Sequence, residues 1–267
     1  MNFYTLSDKG KVRANNEDYA ESLALSWCGP AGNSAEITAL ILADGMGGAA
    51  AGEFASMLAV KTVKEQMIRS IFDKQPEDLL NSDKTLFIEE CFQQANKAIF
   101  KEASRNPDME GMGTTIVGGL FYRNSMSLAH VGDSRAYRFR NGSLQILTKD
   151  HSFVQELIDQ GRITSDEAFV HPQRNVITRA LGIGEAVKVD RKNIALEYGD
   201  LIIFCSDGLC GFVEHASMEK IIADTYKEAQ EGLLSLQALA NNLVKAAYNN
   251  GGGDNITVCL YHHLQKF

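Results

Sequence analysis

Five short segments set a carboxylate beside an apolar run. Ile41-Leu42-Ala43-Asp44-Gly45-Met46-Gly47-Gly48 and Ile202-Ile203-Phe204-Cys205-Ser206-Asp207-Gly208 both lead an apolar stretch straight into Asp-Gly. Asn15-Asn16-Glu17-Asp18 places adjacent carboxylates ahead of such a stretch, and His130-Val131-Gly132-Asp133-Ser134-Arg135 places one between two. Gly251-Gly252-Gly253-Asp254-Asn255 places another ahead of the last. A buried strand carries a terminal Asp to the edge of its sheet, and a following glycine lets the backbone turn there. Each segment alone also fits an ordinary Asx turn. Five together, with no His or Cys at ligand spacing beside them, describe oxygen ligands suited to Mg²⁺ or Mn²⁺ rather than zinc. Several carboxylates around one ion leave excess negative charge, so the pattern points to a two-metal centre.

The elements that must position these residues follow from periodicity. Strand-like runs cover Phe3–Ser7, Tyr19–Trp27 and Ile37–Ala43. A helix over Ala51–Phe72 is predicted by Phe54, Leu58, Val60, Val63, Met67, Ile68 and Ile71, near the 3.6 period. A second runs from an N-cap at Ser82 to about Ala103. Strands return over Thr114–Tyr122, Ser125–His130 and Arg135–Arg140, and Asn141-Gly142 signals a tight hairpin into Ser143–Leu147. Residues 149–185 read as a short helix at Phe153–Gln160 and then an irregular passage. Strands at Val187–Leu196 and Leu201–Cys205, helices at Met218–Ala229 and Leu233–Ala247, and a strand at Asn255–His262 complete the chain. Hairpins outnumber any βαβ pattern, so antiparallel sheets with helices packed outside them, an α+β layered fold, are expected.

Composition bounds the rest. The 267 residues carry 34 Asp and Glu against 26 Lys and Arg, a formal charge of −8, which argues against broad contact with nucleic acid or an anionic membrane. A hydrophobic content of 45% is too high for disorder. At about 150 residues per domain the length suggests fewer than two, and without a linker or repeat a single domain over 1–267 is expected. Cys28, Cys91, Cys205, Cys210 and Cys259 form an odd set without a CxxC and read as reduced thiols. The N-terminal residues lack the apolar stretch of a signal peptide, and no run reaches the length of a membrane span. A cytoplasmic protein is expected.

The motifs together carry a family resemblance. Arg13-Ala14-Asn15-Asn16-Glu17-Asp18, one residue shorter than the shorthand R-x-x-N-x-E-D, is followed by D-G-M-G-G, G-T-T, G-D-S-R, S-D-G and G-G-x-D-N. In order and spacing this set resembles the metal-dependent PP2C (PPM) family of protein serine/threonine phosphatases, in its bacterial branch. The match extends from Ser7-Asp8-Lys9-Gly10 to Asn255-Ile256-Thr257-Val258. The resemblance implies a four-layer αββα sandwich, two antiparallel β-sheets flanked by helices, with the metals in a cleft at one end.

By the same resemblance Asp44 bridges two Mn²⁺ or Mg²⁺ ions and the Gly45 carbonyl joins it on one of them. Asp207 and Asp254 complete the other, Glu17 and Asp18 hold the second metal directly or through water, and Asp133 with Asp207 matches a third-metal position. Arg13 matches the phosphate-binding arginine, since a guanidinium grips two phosphate oxygens at once. The implied reaction is direct attack of a metal-bridging hydroxide on phosphoserine or phosphothreonine, without a phosphoenzyme. Implied partners are phosphorylated proteins and a cytosolic Ser/Thr kinase whose action a monomeric enzyme reverses, with no nucleic acid and no membrane.

Met46 departs from the D-G-H-G-G of eukaryotic relatives. A methionine donates no proton, so a metal-bound water or a remote group such as His151 must protonate the leaving alkoxide. Residues Lys149–Gly184 resemble the family's flap, where Arg162, Arg174 and Arg179 either meet acids of a phosphopeptide or form surface salt bridges. Thr114-Thr115, Met57 and Met67 read as packing residues. A catalytically dead binding module would have lost a metal carboxylate, and Asp44, Asp207 and Asp254 are all present. The metal site alone does not separate a protein phosphatase from a hydrolase of small phosphate esters.

Overall fold

The continuous apolar runs of the sequence are strands buried on both faces. In β3 (Ser34–Met46), Ala39 and Ile41 face covering helices while Leu40 and Leu42 face a second sheet. In β10 (Leu201–Cys205), Ile203 points to helices and Ile202 and Phe204 to the opposite sheet. The computed structural model describes residues 2–28, 34–73, 82–228 and 234–264.

One sheet follows the order β1 (Phe3–Asp8), β11 (Ile256–His262), β10, β7 (Arg135–Arg140), β8 (Ser143–Ile146). The other follows β2 (Asp18–Cys28), β3, β5 (Ile116–Tyr122), β6 (Ser125–Val131), β9 (Asp190–Ala195), with β4 (Gly113–Thr114) paired to the end of β3. The pairings within both sheets are antiparallel. Helices α1 (Ala49–Asp73) and α2 (Lys84–Arg105) cover the second sheet through residues such as Val63, Met67, Phe92 and Ile99. Helices α6 (His215–Glu228) and α7 (Leu236–Asn249) cover the first through Met218, Ile222, Leu239 and Leu243. Three apolar cores separate four layers, the expected αββα sandwich. Between the sheets Phe121 stacks on Tyr261 at 3.9 Å between ring centroids and on Phe204 at 6.4 Å.

The Asn141-Gly142 turn has φ of 52° and 82°, the left-handed pair of a type I′ hairpin. Helix α2 is capped by Asp83 rather than Ser82: its carboxylate accepts from the Thr85 and Leu86 N–H groups. The expected strand Thr114–Tyr122 is divided at Thr115 into β4 and β5, but the register with β3 runs on through it, and the Thr115 N–H donates to the carbonyl of Asp44, the residue opposite, at 2.8 Å. After α3 (Phe153–Asp159), the passage expected to be irregular holds a further helix, α4 (Ser165–Phe169). A capping box between Thr164 and Glu167 starts it, a local signal strong enough to order one turn. Directly after β10, α5 (Asp207–Cys210) also forms where the sequence suggests only a turn. The expected helix ends at Ala229 and Leu233 lie outside the described residues. Among the described residues no helix is long and apolar enough to cross a membrane.

Phe204 is fully buried between the sheets. Replacing it by alanine should cost about 3–5 kcal/mol, read as a lower urea midpoint with an unchanged slope.

Candidate metal centre

The site is built where strand ends of the two sheets meet. Antiparallel register sets Asp18 of β2 directly opposite Asp44 of β3. Asp44 is fixed through its backbone: its carbonyl accepts from the Thr114 hydroxyl at 2.7 Å and the Thr115 N–H at 2.8 Å, and its N–H donates to the Thr115 hydroxyl at 3.3 Å. Thr114 and Thr115 are therefore more than packing residues, because they hold the central aspartate in place.

From the other sheet, Ser206 follows β10, and its hydroxyl donates to Asp18 Oδ2 at 2.7 Å while accepting from the Thr257 N–H at 3.0 Å. The next residue, Asp207, starts α5 with its carboxyl within hydrogen-bonding reach of Asp44. Asp254 precedes β11. Beside it, the buried Asn255 amide donates to the carbonyls of Lys9 and Asn15 and accepts from the Glu17 N–H, at 2.9, 2.9 and 2.8 Å. One side chain thus ties the loop carrying Arg13, Glu17 and Asp18 to the strand carrying Asp254. Gly45 donates its N–H to the Glu17 carbonyl at 3.1 Å. A Cβ on Gly45 would collide with the Gly52 carbonyl of α1, so the close approach of these segments requires glycine at 45, while one on Gly52 would meet the end of the Glu17 side chain.

Asp133, 8% exposed, lies in the turn between β6 and β7, near enough to Asp207 for the two charges to repel. Arg13 remains half exposed at the cleft mouth, and its Nη2 donates to Asp254 Oδ2 at 2.7 Å. The structure so brings Arg13, Asp18, Asp44, Gly45, Asp133, Asp207 and Asp254 into one region, with Glu17 at its edge against Gly52.

The electrostatics of the cluster are those of crowded acids. Burial, then repulsion by Asp18, Asp207, Asp133 and Asp254, holds the Asp44 carboxyl well above the usual carboxylate range. Burial lifts Asp18 to about 8 against the hydrogen bonds of Thr257 and Ser206, with Asp207 and Asp254 adding to the rise. Asp207 stands at about 6, raised by burial and Asp254 and opposed by its contact with Asp44. Burial, then Asp207 and Asp150, lifts Asp133 well above the usual range, and burial lifts Glu17 against the pull of Arg13. Asp18 Oδ1 is buried without a hydrogen-bond partner among the described residues, a costly state for a carboxylate oxygen. An orphaned acceptor inside a set of carboxylates fits hard divalent cations, which take oxygen ligands and cancel their repulsion.

A second group of possible ligands, His130, His151 and Asp190, lies outside this set. Its capacity is already used. His130 Nε2 donates to the Lys149 carbonyl at 2.9 Å, and His151 Nδ1 accepts from the Gly132 N–H at 3.0 Å. Arg179 Nη1 lies 2.9 Å from His151 Nε2 and donates to Asp190 Oδ1 at 2.8 Å, so a guanidinium takes the place a cation would need. Burial, then the neighbouring His130 and Arg179, holds His151 down at about 4. Buried at the base of the flap with both ring nitrogens engaged, His151 does not serve the cleft as a proton donor. Arg179 is thereby assigned to an internal ion pair, while Arg174 lines the cleft. The sequence gives no role to Ser206 or the Asn255 amide and reads Thr115 as packing, although all three stand inside quoted motifs, S-D-G, G-G-x-D-N and G-T-T.

The Protein phosphatase 2C family profile matches residues 15–244, and the chain belongs to that family. It is 37% identical over 260 residues to the serine/threonine protein phosphatase PstP of Mycobacterium tuberculosis, covering 97% of this chain but 44% of that protein. It is 34% identical over 255 residues to the serine/threonine phosphatase stp of Listeria monocytogenes, covering 95% of this chain and 92% of that one. The PstP catalytic domain solved with two manganese ions superposes with a TM-score of 0.77 at 35% identity, over 98% of both chains.

Raised carboxyl pKa values mean that the folded protein retains protons which the unfolded chain gives up. Without metal, stability should therefore fall as pH rises from about 4, the ordinary carboxylate range, toward about 8, where Asp18 ionises. Mn²⁺ at about 100 times its Kd should return about 2.7 kcal/mol, raising Tm by roughly 5 °C. Melting curves with EDTA or Mn²⁺ at pH 5 and 8 should show the larger gap at pH 8. Equal gaps would contradict the charge cluster.

Proposed function

We propose that this chain is a divalent-metal-dependent protein serine/threonine phosphatase that hydrolyses phosphoserine and phosphothreonine in phosphorylated proteins. The observation that carries the proposal is the convergence of Asp18, Asp44, Asp133, Asp207 and Asp254 with Arg13 at one end of an open cleft. The names of the PstP and stp relatives support the substrate class.

Asp44, Gly45, Asp207, Asp254 and Asp18, with Glu17, would hold two Mn²⁺ or Mg²⁺ ions, and Asp133 with Asp207 a third. Such ions supply an activated water near neutral pH and neutralise charge on phosphoryl oxygens. Arg13, at the cleft mouth, supplies a fixed cation beside the carboxylates, and its fork-shaped donors grip two non-bridging phosphate oxygens. No phosphoenzyme is needed. Ser206, whose hydroxyl bonds Asp18, is fully buried and committed to Asp18 and Thr257, so it is not free to attack phosphorus. Attack is by water, in line with the leaving oxygen. His151 is buried at the base of the flap with both ring nitrogens engaged and Met46 has no proton to give, so water in the cleft protonates the leaving alkoxide. The proposal includes one catalytic unit over 1–267 with its flap at 149–184, acting in the cytoplasm as a monomer opposite a Ser/Thr kinase.

Phosphate release from a phosphothreonine peptide should require Mn²⁺ or Mg²⁺ and stop with EDTA. Asp207→Asn should lower turnover at least roughly 100-fold, as loss of a metal-site group does. Arg13→Ala should cost roughly 100- to 1,000-fold, comparable to removing a donor aimed at developing charge. Activity that survives thorough chelation would overturn the mechanism.

A further inference from the structure

The cavity that takes in Asp133, Asp207, Asp254 and Arg13 extends well beyond them. Its volume is about 1030 Å³, at the upper end for a small-molecule pocket and more than one phosphorylated side chain requires. Val154 and Ile158 of α3, Phe169 and Val170 at the end of α4, and Phe212 and Val213 between α5 and α6 form an apolar part of its lining, with the Phe212 ring against Gly253, next to Asp254. Arg174 closes one side of this part. It donates to the Phe169 carbonyl at 2.9 Å while its guanidinium lies 5.8 Å from the centre of the Phe212 ring. Val170 is nevertheless 75% exposed, a β-branched residue left open to solvent inside a cavity continuous with the candidate metal centre. Two acids, Asp166 and Glu214, also line the cavity.

We infer that this apolar wall is a subsite for a substrate side chain flanking the phosphorylated residue. Its occupant is an extended segment of phosphoprotein with a Leu, Ile, Met or Phe close to the phosphoserine or phosphothreonine. Continuity supports this occupant, because a chain with its phosphate at Arg13 and the carboxylate cluster must leave along the same cavity. Burying an aliphatic side chain against Val170, Ile158 and Phe212 removes apolar surface of both partners from water. An acidic side chain there would be repelled by Asp166 and Glu214, while Arg174, the cation on this wall, already donates to the Phe169 carbonyl and lies over the Phe212 ring. The flap thus selects through its apolar face, whereas the metal centre treats any accessible monoester alike. The inference rests on the phosphatase reading.

The test compares kcat/KM for phosphothreonine peptides in which Leu or Glu is scanned through three positions on each side, with p-nitrophenyl phosphate as a substrate too small to reach the wall. All assays use the Mn²⁺-loaded full chain. At one position or more, Leu should exceed Glu by about tenfold, the scale of a small apolar contact. Val170→Asp and Ile158→Asp should bring that ratio close to one and leave p-nitrophenyl phosphate turnover unchanged. Val170 is exposed, so its substitution leaves the fold intact even if the Ile158 variant does not. Equal kcat/KM for all peptides, with p-nitrophenyl phosphate still cleaved, would overturn the subsite and spare the phosphatase assignment. A Leu preference unchanged in the folded variants would do the same. Failure of the wild type to release phosphate from any substrate with Mn²⁺ would overturn both.

Discussion

The register that sets Asp18 against Asp44 is the constraint on which this molecule turns. Paired strands normally avoid like charges directly opposite each other, because the repulsion is destabilising. Here the repulsion is increased by Asp207 and Asp254 arriving from the other sheet and by Asp133 from the turn between β6 and β7. The three apolar cores must supply the stability that this crowding removes. The polar contacts around it act more locally. Ser206, Thr114, Thr115 and Asn255 fix backbone and carboxylate positions so that the acids cannot swing apart to relieve the strain.

The Asp-Gly endings were readable because a strand end and a sharp turn are local features of a sequence. The layering was readable for a related reason: runs such as Ile202-Ile203-Phe204 only make sense if both faces are covered. What joins distant segments was not readable. Arg13 and Asp254 are 241 positions apart, Ser206 and Asp18 are 188 apart, and no local pattern announces that they meet. Nor does periodicity fix a boundary to the residue. Ser82 and Asp83 are both good caps, and only the position of the first helical N–H groups decides between them. The one-turn helices α4 and α5 are too short to leave a period. His151 shows a different limit, since a histidine beside a site looks chemical until its ring nitrogens are seen to be spent on Gly132 and Asp190.

The flap is anchored firmly at its base and less so beyond it. Arg135 grips Asp150 with contacts at 2.8 to 3.1 Å, and Thr178 donates its N–H to the His151 carbonyl while Phe153 donates to that of Val176. These bonds join the first flap residues to the turn that carries Asp133, because Gly132 is held by His151 on the same side. Chain entering the flap is therefore rigidly related to the acid cluster. The α3–α4 segment reaches outward from that base with its apolar residues facing the cavity, so the wall keeps a defined distance from the candidate metal centre.

The orphaned oxygen of Asp18 and the raised carboxyls around it have a consequence for how the protein exchanges with its surroundings. A carboxyl that holds its proton near neutral pH must release it before it can ligate a cation. Metal uptake by this chain is therefore an exchange of divalent ions for protons. The site accordingly competes for its metal less well in acid, and the local proton concentration becomes a factor in when the enzyme is loaded.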